Sequence, residues 1–324
     1  MRRAMAEAEV GDDALGEDPT ARRLEARAAE LLGKEAALFV PSGTMANQIA
    51  LMLHCRPGDE VILGETSHIA HYEAGAGAAW AGVQFVQAGE GGPFSPRDMS
   101  AAIKPRAYYM PRTRLVALEN THNRAGGRVF PQDDVVAVAE RAHELGLAVH
   151  LDGARIWNAA VASGRSEAEL AAPADTVTAC FSKGLGAPVG SVIAGSRDHV
   201  QQARRLRRML GGGMRQVGVL CAAALHALEH HRERLAEDHA NARRLAEGLS
   251  RVPGLACEPA AVETNIVMCQ VPEGGAEELA ERLAQRGVGV QPVARSLLRA
   301  VTHLDVDAQA VDRAVEAFAE VADG

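Results

Sequence analysis

Residues Thr178–Gly195 read TACFSKGLGAPVGSVIAG, with one lysine, Lys183, set among apolar and small residues. The residues before it alternate like a buried strand. Gly184, Gly186, Pro188 and Gly190 read as a tight loop, and Ser191–Gly195 as a second strand. An ammonium in this setting has two readings. It can be an ordinary solvated lysine, or a partly desolvated amine with a lowered pKa, able to form a Schiff base with a carbonyl. The stretch alone leaves both open.

Working outward, the chain from Glu35 to Ser196 alternates short apolar runs with helical patterns. The runs are AALFV, EVILG, VQFVQA, LVALEN, LAVHLDG, DTVTACFS and SVIAG. Strands alternating with helices predict an α/β fold with a mostly parallel sheet, whose ligands bind beyond the carboxyl ends of the strands. After Gly213 the pattern changes to helix from about Gln216 to Leu249, broken near His230. TNIVMCQV, a helix over Ala276–Arg286, VGVQPV, LRAVTH and a last helix from Asp307 follow. This predicts a large domain over 1–240, opening with a helical segment 1–34, and a small α+β domain over 241–324. The boundary lies between 231 and 250.

A chain of 324 residues that is 47% hydrophobic can bury a sizeable core. Its net charge of −8 and pI near 5.9 argue against general nucleic-acid binding. The local basic run Arg204, Arg205, Arg207 and Arg208 reads as a solvated or subunit-facing helix surface. Five scattered cysteines without CxxC spacing point to free thiols in a reducing cytoplasm. No membrane span or signal peptide is expected, because no apolar stretch is long enough and the start MRRAMAEAEVGDD turns acidic at once.

The residues that follow the strands carry the candidate chemistry. After AALFV comes Pro41-Ser42-Gly43-Thr44, opening a helix: either a plain N-cap or a phosphate cradle at a helix N-terminus. After EVILG come His68, His71 and Glu73. These lack a third partner at metal-ligand spacing, so a stacked or basic imidazole is favoured over metal, beside the plain alternative of a surface or core histidine. LVALEN is followed by Thr121-His122-Asn123, and LAVHL by Asp152-Gly153-Ala154-Arg155, where a structural ion pair is the simplest reading. Lys183 closes the next strand.

A strand-end aspartate followed by a strand-end lysine has a chemical logic. Pyridoxal 5′-phosphate (PLP) needs a lysine for its aldehyde and a carboxylate that keeps its pyridine nitrogen protonated. A phosphate cradle and a flat group for the ring face complete the set.

These residues resemble the low-specificity L-threonine aldolases of the aromatic amino-acid β-eliminating lyase/threonine aldolase family. The resemblance runs from GDDALGEDPT through KEAALFVPSGTMANQ, LENTHNRAGGRV, HLDGARIWNA, SKGLGAPVGS and GGGMRQ to VTHLDV. It implies the fold-type I PLP architecture: a mostly parallel seven-stranded sheet in a large domain, plus a small α+β C-terminal domain. By the same resemblance Lys183 is the Schiff-base lysine, Asp152 the partner of the pyridine nitrogen and Arg155 a contact of the phenolic oxygen. His68 stacks on the ring and can take the substrate hydroxyl proton, with His122 as the second histidine near that hydroxyl. Gly43 and Thr44 hold the phosphate, with Ser182 and Arg215 as further contacts, and Arg299 binds the substrate carboxylate.

The implied reaction is retro-aldol cleavage of L-threonine or L-allo-threonine to glycine and acetaldehyde, in a homotetramer built as a dimer of dimers. No metal is implied. Two departures stand out. Family members usually begin with a segment of the type L-R-S-D-T-x-T-x-P, whose serine helps hold the substrate carboxylate, whereas this sequence starts with MRRAMAEAEV. Leu15 occupies a position where relatives commonly carry tyrosine. A cofactor-binding but catalytically impaired homologue, or another fold-type I lyase or transaminase, therefore stands as the alternative. A nucleotide-binding α/β protein is disfavoured, since no GxGxxG or Walker sequence follows the first strand.

Overall fold

The computed structural model describes residues 1–272 and 274–322. Seven strands form one sheet: β1 (Ala36–Val40), β2 (Asp59–Gly64), β3 (Gln84–Ala88), β4 (Arg112–Glu119), β5 (Ala148–Gly153), β6 (Thr176–Cys180) and β7 (Ser191–Gly195). The strand order is β1-β7-β6-β5-β4-β2-β3. Strands β2, β6 and β7 are buried at every position, as expected of strands covered on both faces of a largely parallel sheet.

Parallel neighbours need a crossover of about a dozen residues or more. The link Phe181–Gly190 between β6 and β7 is too short for one, and β7 runs antiparallel to both β6 and β1. Lys183 sits on that link, so the short return holds it at the carboxyl end of β6. Asp152 lies on the neighbouring β5, paired in register with Thr178.

Helices cover the sheet. Ile49 and Ala50 of the helix Gly43–His54 pack with Leu38, Val40 and Ile193 of the sheet, while Leu51 packs with Val61, Leu63 and Leu115. The amino-terminal segment is tied down by buried charge. Asp18 caps the helix Pro19–Leu31 by accepting from Ala21 N (2.8 Å) and also accepts from Gly218 N (2.9 Å). Arg207 is only 3% exposed, pairs with Asp13 at 2.6 Å and donates to Phe39 O at 2.8 Å. Arg204 reaches Glu25 at 3.2 Å. The basic run is therefore not simply a solvated face: two of its arginines point inward to anchor residues 12–40, while Arg205 and Arg208 are exposed.

The chain divides into two compact units, residues 1–124 with 130–232, and residues 125–129 with 233 onward. The division falls in the break between the helices Gly218–His230 and Leu235–Leu249, ahead of the 240/241 boundary expected from sequence. The excursion 125–129 belongs with the second unit, where Thr264 Oγ1 donates to Gly127 O at 2.7 Å and Val129 N donates to Glu263 at 2.7 Å. That unit holds an antiparallel sheet of β8 (Ile266–Gln270), β9 (Gln291–Ala294) and β10 (Leu297–Val301), in the order β8-β10-β9. The helices Leu235–Leu249, Ala276–Ala284 and Ala308–Ala322 close its core around Val267, Leu298 and Phe318. Among the described residues no helix is long and apolar enough to cross a membrane.

Candidate active site

At the carboxyl edge of the large sheet two buried carboxylates share one amide. Asn47 Nδ2 donates to Asp152 Oδ2 and to Glu73 Oε1, each at 2.8 Å. Gln48 Nε2 adds a second donor to Glu73 at 2.6 Å, and Ala154 N donates to Asp152 Oδ1 at 3.1 Å. Asp152 and Glu73 are both 2% exposed. Asn47 and Gln48 reach this edge because Ser42 caps their helix, its Oγ accepting from Met45 N at 3.2 Å. Among the described residues none of the ion pairs involves Asp152, which leaves a buried carboxylate satisfied by neutral donors alone.

His68 stands beside this pair, with Nδ1 3.1 Å from Glu73 Oε1. Burial pulls its pKa down, but the bond to Glu73 and the charge of Asp152 outweigh burial, so the imidazole holds its proton above its ordinary range. Burial pushes Glu73 upward as well, helped by Asp152 and opposed by its donors. Two amide donors on its two oxygens favour the ionised form of Glu73, which places the shared proton on His68 Nδ1. Lys183 is half-buried and close enough for its charge to act on His68, and its Nζ makes no hydrogen bond or ion pair among the described residues.

Glu119, at the end of β4, holds the two histidine-bearing segments together. It accepts from His68 N at 2.7 Å and from Asn123 N at 2.9 Å, and lies 3.9 Å from His122 Nε2. His122 is buried under Gly92, where a Cβ would come within 2.8 Å of the imidazole, so that position accepts no side chain. Arg155 Nη1 reaches Asn123 Oδ1 at 3.4 Å. Asp152 is thus met by the Asn47 amide, and Arg155 by the Asn123 amide.

The structure brings Lys183, Asp152 and His68 together and links His122 and Arg155 to them through Glu119 and Asn123. Gly43 and Thr44 begin their helix with backbone N–H groups that have no partner among the described residues. The glycine at 43 answers to packing as well: a Cβ there would fall 2.8 Å from Cys180 Sγ. Ser182 is exposed. Arg215 is spoken for by Asp12, at 2.6 Å. Arg299 lies on β10 of the second unit and donates to Gln291 Oε1 at 3.1 Å. Leu15 is 71% exposed.

Sequence reasoning passed over Asn47, Gln48 and Glu119, and weighed Glu73 only as a metal ligand. The available signal was polarity out of place: Asn47-Gln48 interrupt an apolar helix, and His150 interrupts the apolar strand LAVHLDG. The third partner missing along the chain comes from space, since His68, Glu73 and Asp152 offer ligand atoms all within 4.8 Å of one another. The donor set suits a positive group. Two buried carboxylates beside one imidazole, with a bare lysine amine and two bare helix N–H groups on the same sheet edge, fit a flat, phosphorylated, cationic aldehyde such as PLP.

Comparison with known proteins agrees. Residues 1–273 match the Beta-eliminating lyase family. Low-specificity L-threonine aldolase 1 of Arabidopsis thaliana is 46% identical, over 98% of this chain and 91% of its own length. The low specificity L-threonine aldolase of Escherichia coli K12 is 43% identical, over 94% and 90%. The solved threonine aldolase of Leishmania major superposes with a TM-score of 0.83 at 23% identity, covering 99% of this chain and 94% of that one, a likeness of fold. By a family match over most of its length and relatives far above 30% identity, this chain belongs to the beta-eliminating lyase family.

Proposed function

We propose that this protein is a PLP-dependent threonine aldolase, cleaving L-threonine, L-allo-threonine and related β-hydroxy-α-amino acids to glycine and an aldehyde. The observation that carries the reading is the pairing, on one sheet edge, of a buried Asp152 that makes no ion pair among the described residues and a Lys183 amine that makes no hydrogen bond among them. Lys183 would hold the cofactor's aldehyde, Asp152 its pyridine nitrogen, and Gly43 and Thr44 its phosphate. Ser182 would be a further phosphate contact, as would Arg215 on release from Asp12, and Arg155 would meet the phenolic oxygen. When bound, the cofactor supplies an electron-accepting ring that spreads negative charge from the substrate Cα.

The chain's own residues do the rest. His68 keeps Nδ1 on Glu73, which leaves Nε2 to take the proton of the β-hydroxyl, with His122 as the second imidazole near that oxygen. As that proton leaves, Cα–Cβ breaks, the β-carbon departs as the aldehyde, and the electron pair left on Cα is protonated to give glycine. Arg299 is assigned the substrate carboxylate. The burial of Asp152 strengthens its hold on a cationic ring nitrogen, because opposite charges attract more strongly away from water.

The test is acetaldehyde release from L-threonine and L-allo-threonine, with and without added PLP. Release that depends on PLP and disappears in Lys183→Ala, together with a borohydride-reducible visible band, is expected. Pyruvate or a keto acid in place of acetaldehyde would overturn the reading. Cytoplasmic location fits the five free cysteines. The proposed homotetramer predicts a solution mass near four times that of the 34.1 kDa chain.

A further inference from the structure

We propose that Glu73 is the positioning residue for His68. Its carboxylate turns the imidazole so that Nδ1–H faces inward and Nε2 faces the substrate, and a buried amide clamp keeps Glu73 ionised for that task. The inference deepens the aldolase reading and rests on it for its kinetic arm.

The clamp is built from directional bonds. His150 is fully buried and its pKa is pushed down to about 4, mainly by burial, so the ring is neutral. Its Nε2 lies 3.2 Å from Asn47 Oδ1, an acceptor, so Nε2 carries the hydrogen and Nδ1 must accept. Thr176 Oγ1, 2.9 Å from His150 Nδ1, is therefore the donor there, and it receives from His54 Nε2 at 3.0 Å. Donors thus run one way, from His54 through Thr176 and His150 to Asn47. With Oδ1 taken, Asn47 can present only its NH₂ to Glu73 and Asp152, and an amide flip would set its oxygen against both carboxylates. Glu73 consequently meets donors only: Asn47, Gln48 and His68.

A second, independent feature fixes the same segment. Thr66 and Ala74 have φ of 58° and 53°. Left-handed backbone is unusual for non-glycine residues, and for β-branched threonine it is an outlier. The two bracket Ser67–Glu73, the stretch that carries both His68 and Glu73, and the surroundings hold it there through the bond from His68 N to Glu119. The groups facing His68 are Glu73 and Tyr72 from its own segment, Asp152 from β5, Lys183 from the β6–β7 link and Glu119 from β4. Among the described residues Glu73 alone hydrogen-bonds a nitrogen of the ring.

The experiment compares Glu73→Gln and Glu73→Asp with wild type. Two quantities are read: acetaldehyde kinetics across pH, and the His68 imidazole titration by NMR, in cofactor-loaded and cofactor-free protein. For Glu73→Gln we expect the His68 titration to move down by about one pH unit or more, as for loss of an adjacent opposite charge. We expect kcat to fall by roughly 10- to 100-fold, within the range of a disturbed general base, while KM stays near the wild-type value. Glu73→Asp should restore the titration. On a His68→Asn background Glu73→Gln should cost nothing further. An unmoved titration, or a rate penalty that multiplies with His68→Asn, overturns the proposal. If wild type releases no acetaldehyde yet the titration shifts as expected, the aldolase reading falls while the positioning of His68 by Glu73 stands.

Discussion

Asn47→Ala tests the carboxylate clamp by removing a single side chain. The substitution deletes two bonds to carboxylates, each 2.8 Å, and the acceptor of His150 Nε2. Hydrogen bonds to charged groups contribute about 1.5–3 kcal/mol each, and a buried donor left unmade costs about 1–3 kcal/mol. Adding these terms overshoots, because Gln48 still holds Glu73, Ala154 still holds Asp152, and water can enter the space vacated. A net loss of about 3–5 kcal/mol is expected.

The loss has a direction in pH. Without Asn47, Glu73 loses one of the donors that oppose its upward shift, so it takes up a proton more readily when folded than before. A carboxyl whose folded pKa rises above the unfolded value destabilises the fold at high pH, and the penalty shrinks as pH falls through the folded pKa. The deficit of Asn47→Ala against wild type should therefore be largest in alkaline buffer and narrow on acidification. The assay is urea unfolding of cofactor-free protein at a series of pH values, read as the shift of the midpoint. A deficit below about 1 kcal/mol, the net worth of one ordinary hydrogen bond, would refute the claim that one amide holds two buried charges.

Acid should destabilise the wild-type fold for a separate reason. His54 and His150 are held neutral by burial, with pKa values lowered to about 3 and about 4. In the unfolded chain they protonate near pH 6.5, so stability is lost as pH falls from there towards 4. The slope reaches about 1.4 kcal/mol per pH unit for each ring; a stability flat across that window would contradict the assignment. At the amino-terminal anchor, Asp13→Ala leaves Arg207 buried without its 2.6 Å partner and should cost about 3–5 kcal/mol in urea unfolding. Asp13→Ala/Arg207→Met, which removes the stranded charge, should recover most of that loss.

The fold was legible because it is written in periodicity. Each of the seven apolar runs became a strand, and the antiparallel turn of β7 follows from a link too short to cross over. Lys183, Asp152 and His68 were legible for a related reason: strand ends fall on one edge, so position along the chain already implies position in space. Glu73 and Asn47 were not, because their meaning lies in a pairing across sequence. Glu73 sits near His68 in the chain, but the donor that joins it to Asp152 comes from a helix far upstream, and no local pattern marks an asparagine as shared between two carboxylates. Arg207 was misread for the opposite reason: a run of arginines looks like a solvated surface, and only tertiary packing shows that Asp13 takes one of them inside.

The clamp also bears on why the proposed site would favour a cationic ligand. Burial and the charge of Asp152 push the Glu73 carboxyl upward. Here Asn47 and Gln48 supply donors without supplying charge, and the imidazole at hand, His68, bonds to Glu73 and not to Asp152. Asp152 attracts a positive group more strongly than a compensated carboxylate would, because among the described residues no ion pair with an ammonium or guanidinium has to be displaced. Amides therefore fit the clamp better than a lysine or arginine. An internal cation would satisfy Asp152 in the ligand-free fold, and a pyridinium would then have to compete with it. Replacing Asn47 by alanine should accordingly weaken cofactor retention as well as stability, and removing both carboxylates' shared donor should matter more to the cofactor than losing Gln48, which touches Glu73 alone.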